Sequence, residues 1–150
     1  MKYLFTKILL LLFLLLISNS VRSQSLIQDI SHSHIVGNTP DAKVFDSFLK
    51  RDIEKYFHNK YSKNIVATFN YLRIGATQSG VSYPKYYLWI RVNDGDSLYT
   101  EGAIRVAAIE KKYFEITDFV SKQDIIDKKV NIYLIFPKPV CEKIIEQLKQ

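Results

Sequence analysis

The run Tyr86-Tyr-Leu-Trp-Ile-Arg-Val-Asn93 constrains the fold of this chain more than any other segment. Tyr86, Leu88, Ile90 and Val92 recur at every second position, and Tyr87, Trp89, Arg91 and Asn93 fill the alternate ones. Successive side chains of a strand point to opposite faces, so this spacing predicts a strand with one face on a core. The other face is aromatic and charged, and it carries the only tryptophan. Two roles suit that face. Tyrosine and tryptophan offer rigid amphipathic contact area, which makes Tyr87, Trp89 and Arg91, with Tyr83 nearby, candidate binding residues. The same side chains also suit a ladder of cross-strand aromatic pairs.

Residues 1–23 read as a removable leader. Lys2 and Lys7 flank the start, Ile8 to Ile17 is unbroken Leu, Ile and Phe, and Val21-Arg-Ser23 closes the segment. A basic start, a short apolar run and small residues before the cut define a Sec-type signal peptide, with cleavage expected after Ser23. The apolar run is half the roughly 20 residues a spanning helix needs. No cysteine lies near the cut to take a lipid. The expected location is therefore secreted or periplasmic, with no stable membrane anchor once the leader is gone.

Removing the leader changes the charge argument. Of the formal +6, Lys2, Lys7 and Arg22 supply +3, which leaves 18 basic against 15 acidic side chains. A surplus that small does not indicate a nucleic-acid partner. Cys141 is the only cysteine, so no intramolecular disulfide can form. An exported domain without bridges relies on its core, and residues 24–150 suffice for one. Cys141, among apolar neighbours on an expected helix, is predicted to be buried. Asn38-Thr39-Pro40 does not satisfy the glycosylation sequon.

Along the chain, residues 24–38 form a polar lead-in with Ser31-His-Ser-His34 inside it, and 39–150 read as a single α+β domain. Thr39, Pro40 and Asp41 mark a helix start by capping, a dispensable N–H and dipole complementarity. Val44, Phe45, Phe48, Leu49, Ile53, Tyr56 and Phe57 form one apolar stripe, so the helix is expected to run to about Tyr61 across a sheet. Asn64–Ile74 reads as a strand, Gly75–Gly80 as a loop, and Asn93–Ser97 as a hairpin turn. Glu101 to about Ile109 is the returning strand, with Tyr113–Phe119 expected as its bent continuation beyond Lys111-Lys112. Ser121 with Asp124 has the spacing of a capping box for a short helix through Ile126. Val130–Phe136 is expected as a strand by residue type, though Val130/Leu134 and Ile132/Phe136 also have helical spacing. Pro137 and Pro139 open a terminal helix carrying Val140, Ile144, Ile145 and Leu148.

Motifs with chemistry are fragmentary. Ser82-Tyr-Pro-Lys85 has the Ser-x-x-Lys spacing of serine acyl enzymes, but Pro84 leads into a strand where that chemistry needs a helix start. Asn93-Asp-Gly-Asp96 resembles the opening of a calcium loop, but Arg105 stands where the bidentate Glu belongs. Gly75–Gly80 lacks the Gly-Lys-Ser/Thr of a phosphate loop. Glu110, Glu115 and Asp118 read as a solvated face, and His32, His34 and His58 have no acidic cluster beside them. No catalytic residue, metal site or cofactor is expected. Tyr83, Tyr86, Tyr87, Trp89, Tyr99 and Tyr113 are denser than a core requires; cross-strand aromatic packing is the first account of them and an interface the second.

A long helix followed by antiparallel strands, with Gly37 ahead of it and strand–loop–strand Ile65–Val92 behind, resembles the cystatin-like architecture, shared in outline with NTF2-like domains. The resemblance covers about 37–110 and implies a helix packed on a curved antiparallel sheet; with the elements read above, the expected fold is α+β, a long N-terminal helix on about four strands with a short C-terminal helix. Cystatins insert a Gln-x-Val-x-Gly tip into a protease cleft; here Gln78-Ser-Gly-Val81-Ser82 occupies that place, with the valine one residue late and no closing glycine. This adds Gln78 and Val81 to the candidate binding residues. The expected function is a small exported, non-catalytic binding module for an unidentified protein or small molecule, acting through the aromatic face or the loops at 75–80 and 93–97. The alternatives are an NTF2-like pocketed enzyme acting on a small molecule and a divergent cystatin-like protease inhibitor.

Overall fold

The computed structural model describes residues 28–61, 64–79 and 81–149, and in it the alternating run becomes β2 (Lys85–Asp94). β1 (Ile65–Tyr71), β3 (Ser97–Ile109) and β4 (Tyr113–Ser121) complete an open antiparallel sheet in the order β1-β2-β3-β4. Gly95 takes φ 61° in the turn expected at Asn93–Ser97. The chain reverses again at Glu110 and Lys111, both at positive φ, so β4 is a separate strand and not the continuation of β3. Two charged residues in the left-handed region accomplish that reversal without glycine, which is why residue type concealed it.

Residues 28–38 are helical (α1), where a polar lead-in is expected from composition. α2 (Ala42–Tyr61) starts two residues beyond Pro40, and Thr39 does not cap it: the Thr39 hydroxyl lies 3.0 Å from the Tyr86 hydroxyl instead. The expected stripe packs on the sheet. Leu49, Ile53 and Phe57 are fully buried against Leu88, Ile90, Val92, Ile104 and Val106. Burial of each such side chain contributes about 1.5–3 kcal/mol. These side chains fill the middle of the space between α2 and the sheet.

The opposite face is covered as well. α3 (Lys122–Ile126) is capped as its sequence predicts, with the Ser121 hydroxyl accepting from the Asp124 amide at 3.1 Å. A 3-10 turn (Ile132–Leu134) and α4 (Lys138–Gln147) follow. Ile132, Phe136, Val140, Cys141 and Ile144 pack on Tyr87, Trp89, Ala103 and Val120 in a second core. Segment 130–136 is thus not a strand. The Asn131 side chain accepts from the Tyr133 amide, the Phe136 amide donates to the Ile132 carbonyl, and the four-residue spacing of Ile132 and Phe136 sets both on the sheet. Burial from Tyr86 through Ile90 is consequently continuous on both faces.

α2 also closes the edges of the sheet. Residues two apart on a helix point about 200° apart, so Asp52 and Glu54 reach opposite sides. Glu54 accepts from the outward Ala67 amide of β1 at 3.0 Å, and Asp52 accepts from the Phe114 amide of β4 at 2.7 Å. Exposed strand edges present unpaired amides that invite pairing with other chains, and here one helix satisfies an amide on each. The expected signal peptide, 1–23, lies outside the described residues. Among those described, no helix is long and apolar enough to cross a membrane.

Candidate functional site

The β1–β2 connection is long but pinned. The Leu72 amide donates to the Tyr87 carbonyl at 3.0 Å, and Thr77 and Lys85 exchange backbone bonds in both directions at 2.9 and 2.8 Å. Gly75, at φ 77°, turns the chain before this bridge. Beyond it the Ser82 hydroxyl donates to the Ser79 carbonyl at 2.8 Å, and Gln78 Nε2 donates to the Ser82 carbonyl at 3.1 Å. Ser31 of α1 donates to Gln78 Oε1 from outside the loop. Pro84, which is buried, leads into β2.

This anchored backbone turns large apolar side chains outward: Ile74 is 95% exposed, Val81 77% and Tyr83 42%. Leu134 and Tyr133 are exposed to a similar degree elsewhere, and what distinguishes this set is that three such side chains belong to one connection. Behind the loop is a pocket of about 190 Å³ lined by Thr77, Ser79, Ser82, Lys85, Tyr87 and Arg105. The Tyr87 hydroxyl meets the Thr77 hydroxyl at 2.6 Å. Arg105 is fixed from two sides, donating to Asp118 at 2.6 Å and to the Ile135 carbonyl at 2.8 Å.

The sequence-predicted residues separate into four places. Gln78 and Tyr87 line the pocket, and Val81 and Tyr83 stand on the outer side of the loop. Trp89 is 2% exposed in the second core, with Nε1 donating to Glu101 at 2.7 Å. Arg91 is exposed further along β2. Tyr87 is likewise buried, so these aromatics do not form an open outer patch: the C-terminal segment lies over them. The loop at 93–97 stands at the opposite end of the sheet, because successive connections of an antiparallel meander alternate ends. Ser82 and Lys85 share the pocket, but the Ser82 hydroxyl is engaged by Ser79 and sits in a turn, not at a helix start.

Lys85, Thr77 and Arg105 escaped sequence reasoning as a set. Thr77 meets Lys85 across a two-way backbone bridge and Arg105 lies on the neighbouring strand, so no local motif announces them. Two further cavities lie among the described residues. A groove of about 520 Å³ between α2 and β4 includes Arg51, Lys55, Tyr56 and Glu115, and its Asp52 carboxylate is already engaged by Arg51 and the Phe114 amide. An apolar hollow of about 250 Å³ lies among Phe45, Tyr71, Ile74 and Tyr86. Burial, followed by the bond to and repulsion from Asp46, pushes the Tyr71 phenol above its usual range; burial pushes Tyr86 the same way, partly offset by Thr39. Among the described residues no group of three or more His, Cys, Asp or Glu could hold a metal ion.

Comparison with protein-family models, with curated proteins and with solved structures returns no match. What the chain shares with the cystatin-like outline is a helix packed on a four-stranded antiparallel sheet.

Proposed function

We propose that this protein is an exported, non-catalytic binding module whose 72–84 loop docks a protein partner. One observation carries the reading: Ile74, Val81 and Tyr83 are held out to solvent by a backbone fixed through the Thr77–Lys85 bridge. A loop already ordered loses little conformational entropy on binding, so its apolar contacts translate more fully into affinity. Export rests on the leader pattern of residues 1–23.

Two competing readings find less support. A pocketed enzyme of the NTF2-like kind needs space under its helix, where Leu49, Ile53 and Phe57 are fully buried. A wedge built from loops 78–82 and 93–97 needs them side by side, and they stand at opposite ends of the sheet; the turn that shares an end with 78–82 is the one at Glu110 and Lys111. The test places a photo-crosslinking amino acid at position 74, 81 or 83, with position 96 at the far turn as control. The reading expects one discrete adduct from the first three positions and none from position 96. No adduct from any of the three, or the same adducts from all four, overturns it.

A further inference from the structure

We propose that the pocket behind the 72–84 loop binds the carboxylate of a small monoanionic ligand. This goes beyond the interface reading and does not depend on it. The argument begins with hydrogen-bond capacity. The Tyr87 and Thr77 hydroxyls are 2.6 Å apart, and one proton occupies the line between them. Each hydroxyl carries its own proton, so the second is left to donate elsewhere. The Lys85 ammonium lines the same pocket and has no side-chain partner among the described residues, and the Ser79 hydroxyl is equally uncommitted.

The carbonyl-type acceptors nearby are engaged. Gln78 Oε1 accepts from Ser31, and the Ser79 carbonyl accepts from both the Ser82 hydroxyl and the Ser82 amide. What remains open is rich in donors, which is the chemistry of an oxyanion site.

Charge decides which oxyanion. Lys85 and Arg105 are the charged side chains that line the pocket, and Asp118 is bonded to Arg105. Asp118 compensates Arg105 through a close ion pair, so Arg105 acts as a fixed wall. Lys85 alone is uncompensated. A single negative charge balances it, whereas a phosphate dianion would leave an excess of charge in a half-buried site. A pocket of about 190 Å³ accommodates a carboxylate with a short substituent.

The experiment is an amide-resolved NMR titration of the purified protein with three probes: N-acetylglycine, its neutral amide, and methyl phosphate. The carboxylate should produce saturable shifts at Thr77, Ser79 and Lys85. The amide should produce none, and methyl phosphate should bind more weakly. Lys85→Gln should weaken N-acetylglycine binding at least about tenfold, since a charge-assisted bond is lost. Lys85→Arg should retain it, and Thr77→Val should give an intermediate loss. Equal shifts from acid and amide, no saturable shift, or unchanged binding by Lys85→Gln would each overturn the site. Tighter binding of methyl phosphate overturns the monoanion assignment. Ile74→Ser and Val81→Ser should leave N-acetylglycine binding unchanged, so failure here is separable from failure of the loop interface.

Discussion

Replacing Asp52 by alanine tests how the sheet edge is closed. Asp52 is 8% exposed and the only charged side chain among the buried residues described. Its Oδ2 accepts from the Phe114 amide at 2.7 Å, and Arg51 chelates the carboxylate with Nε at 2.8 Å and Nη2 at 3.0 Å. Alanine leaves a buried N–H without an acceptor, a loss of about 1–3 kcal/mol. The ion pair itself adds only about 0–1 kcal/mol, because the Arg51 side chain is 49% exposed and screened by water. The expected loss is about 2–3 kcal/mol, and a domain of this size moves about 3–5 °C in Tm for each kcal/mol. Asp52→Asn keeps an oxygen for the Phe114 amide and should lose about 1 kcal/mol. Glu54→Ala opens the Ala67 amide at a place where the carboxylate itself is 28% exposed, so water replaces it and the loss should be less than about 1 kcal/mol. Urea melts rank the three variants, and hydrogen exchange at the Phe114 amide reads the edge directly. An Asp52→Ala protein within about 0.5 kcal/mol of wild type, with that amide still protected, would refute the account.

Three further outcomes are expected. A Cβ on Gly102 would sit 2.2 Å from the Val120 carbonyl oxygen and 2.8 Å from Ser121 Cα, so Gly102→Ala must push β4 away; it should lose about 2–3 kcal/mol in a urea melt with the slope unchanged. Tyr71 and Tyr86 have raised phenol pKa values in the folded protein, so their contribution to stability is fully present below the ordinary tyrosine range near 10 and is lost as pH rises through the folded values. Absorbance at 295 nm should therefore show late-ionising tyrosines, with melting temperature falling above about pH 10. Cys141 is fully buried and burial pushes its thiol up, so Ellman's reagent should react with it only after denaturation; rapid labelling of the native protein would contradict the second core.

What the sequence made legible was whatever rests on local periodicity. The alternation in β2, the stripe of α2, the Asn93–Ser97 turn, the Ser121 cap and the proline-led α4 all follow from neighbours a few positions apart. Errors arose where a distant partner decided the outcome. Thr39 has a good capping side chain, but Tyr86 engages it. Trp89 reads as an interface residue in its own strand, where nothing reveals Ile144 and Cys141 arriving from far along the chain. Asp52 was lost among the charges of α2 because its role depends on an amide of β4. Of the candidate site, the loop was legible through Gln78 and Val81, while Lys85, Thr77 and Arg105 converge only once β2 and β3 are paired.

The cover over Tyr87 and Trp89 also sets a clock. The β2–β3 and β3–β4 hairpins close through turns of a few residues, and α2 lies directly ahead of β1, so the first core assembles from segments near one another in the chain. The second core joins Trp89 to residues about fifty positions later, and closing a span of that length is entropically slower. Loop-closure entropy thus predicts that the helix-backed sheet forms before the tryptophan is covered. Emission from the only tryptophan would report the arrival of α4, giving that expected step its own intrinsic fluorophore.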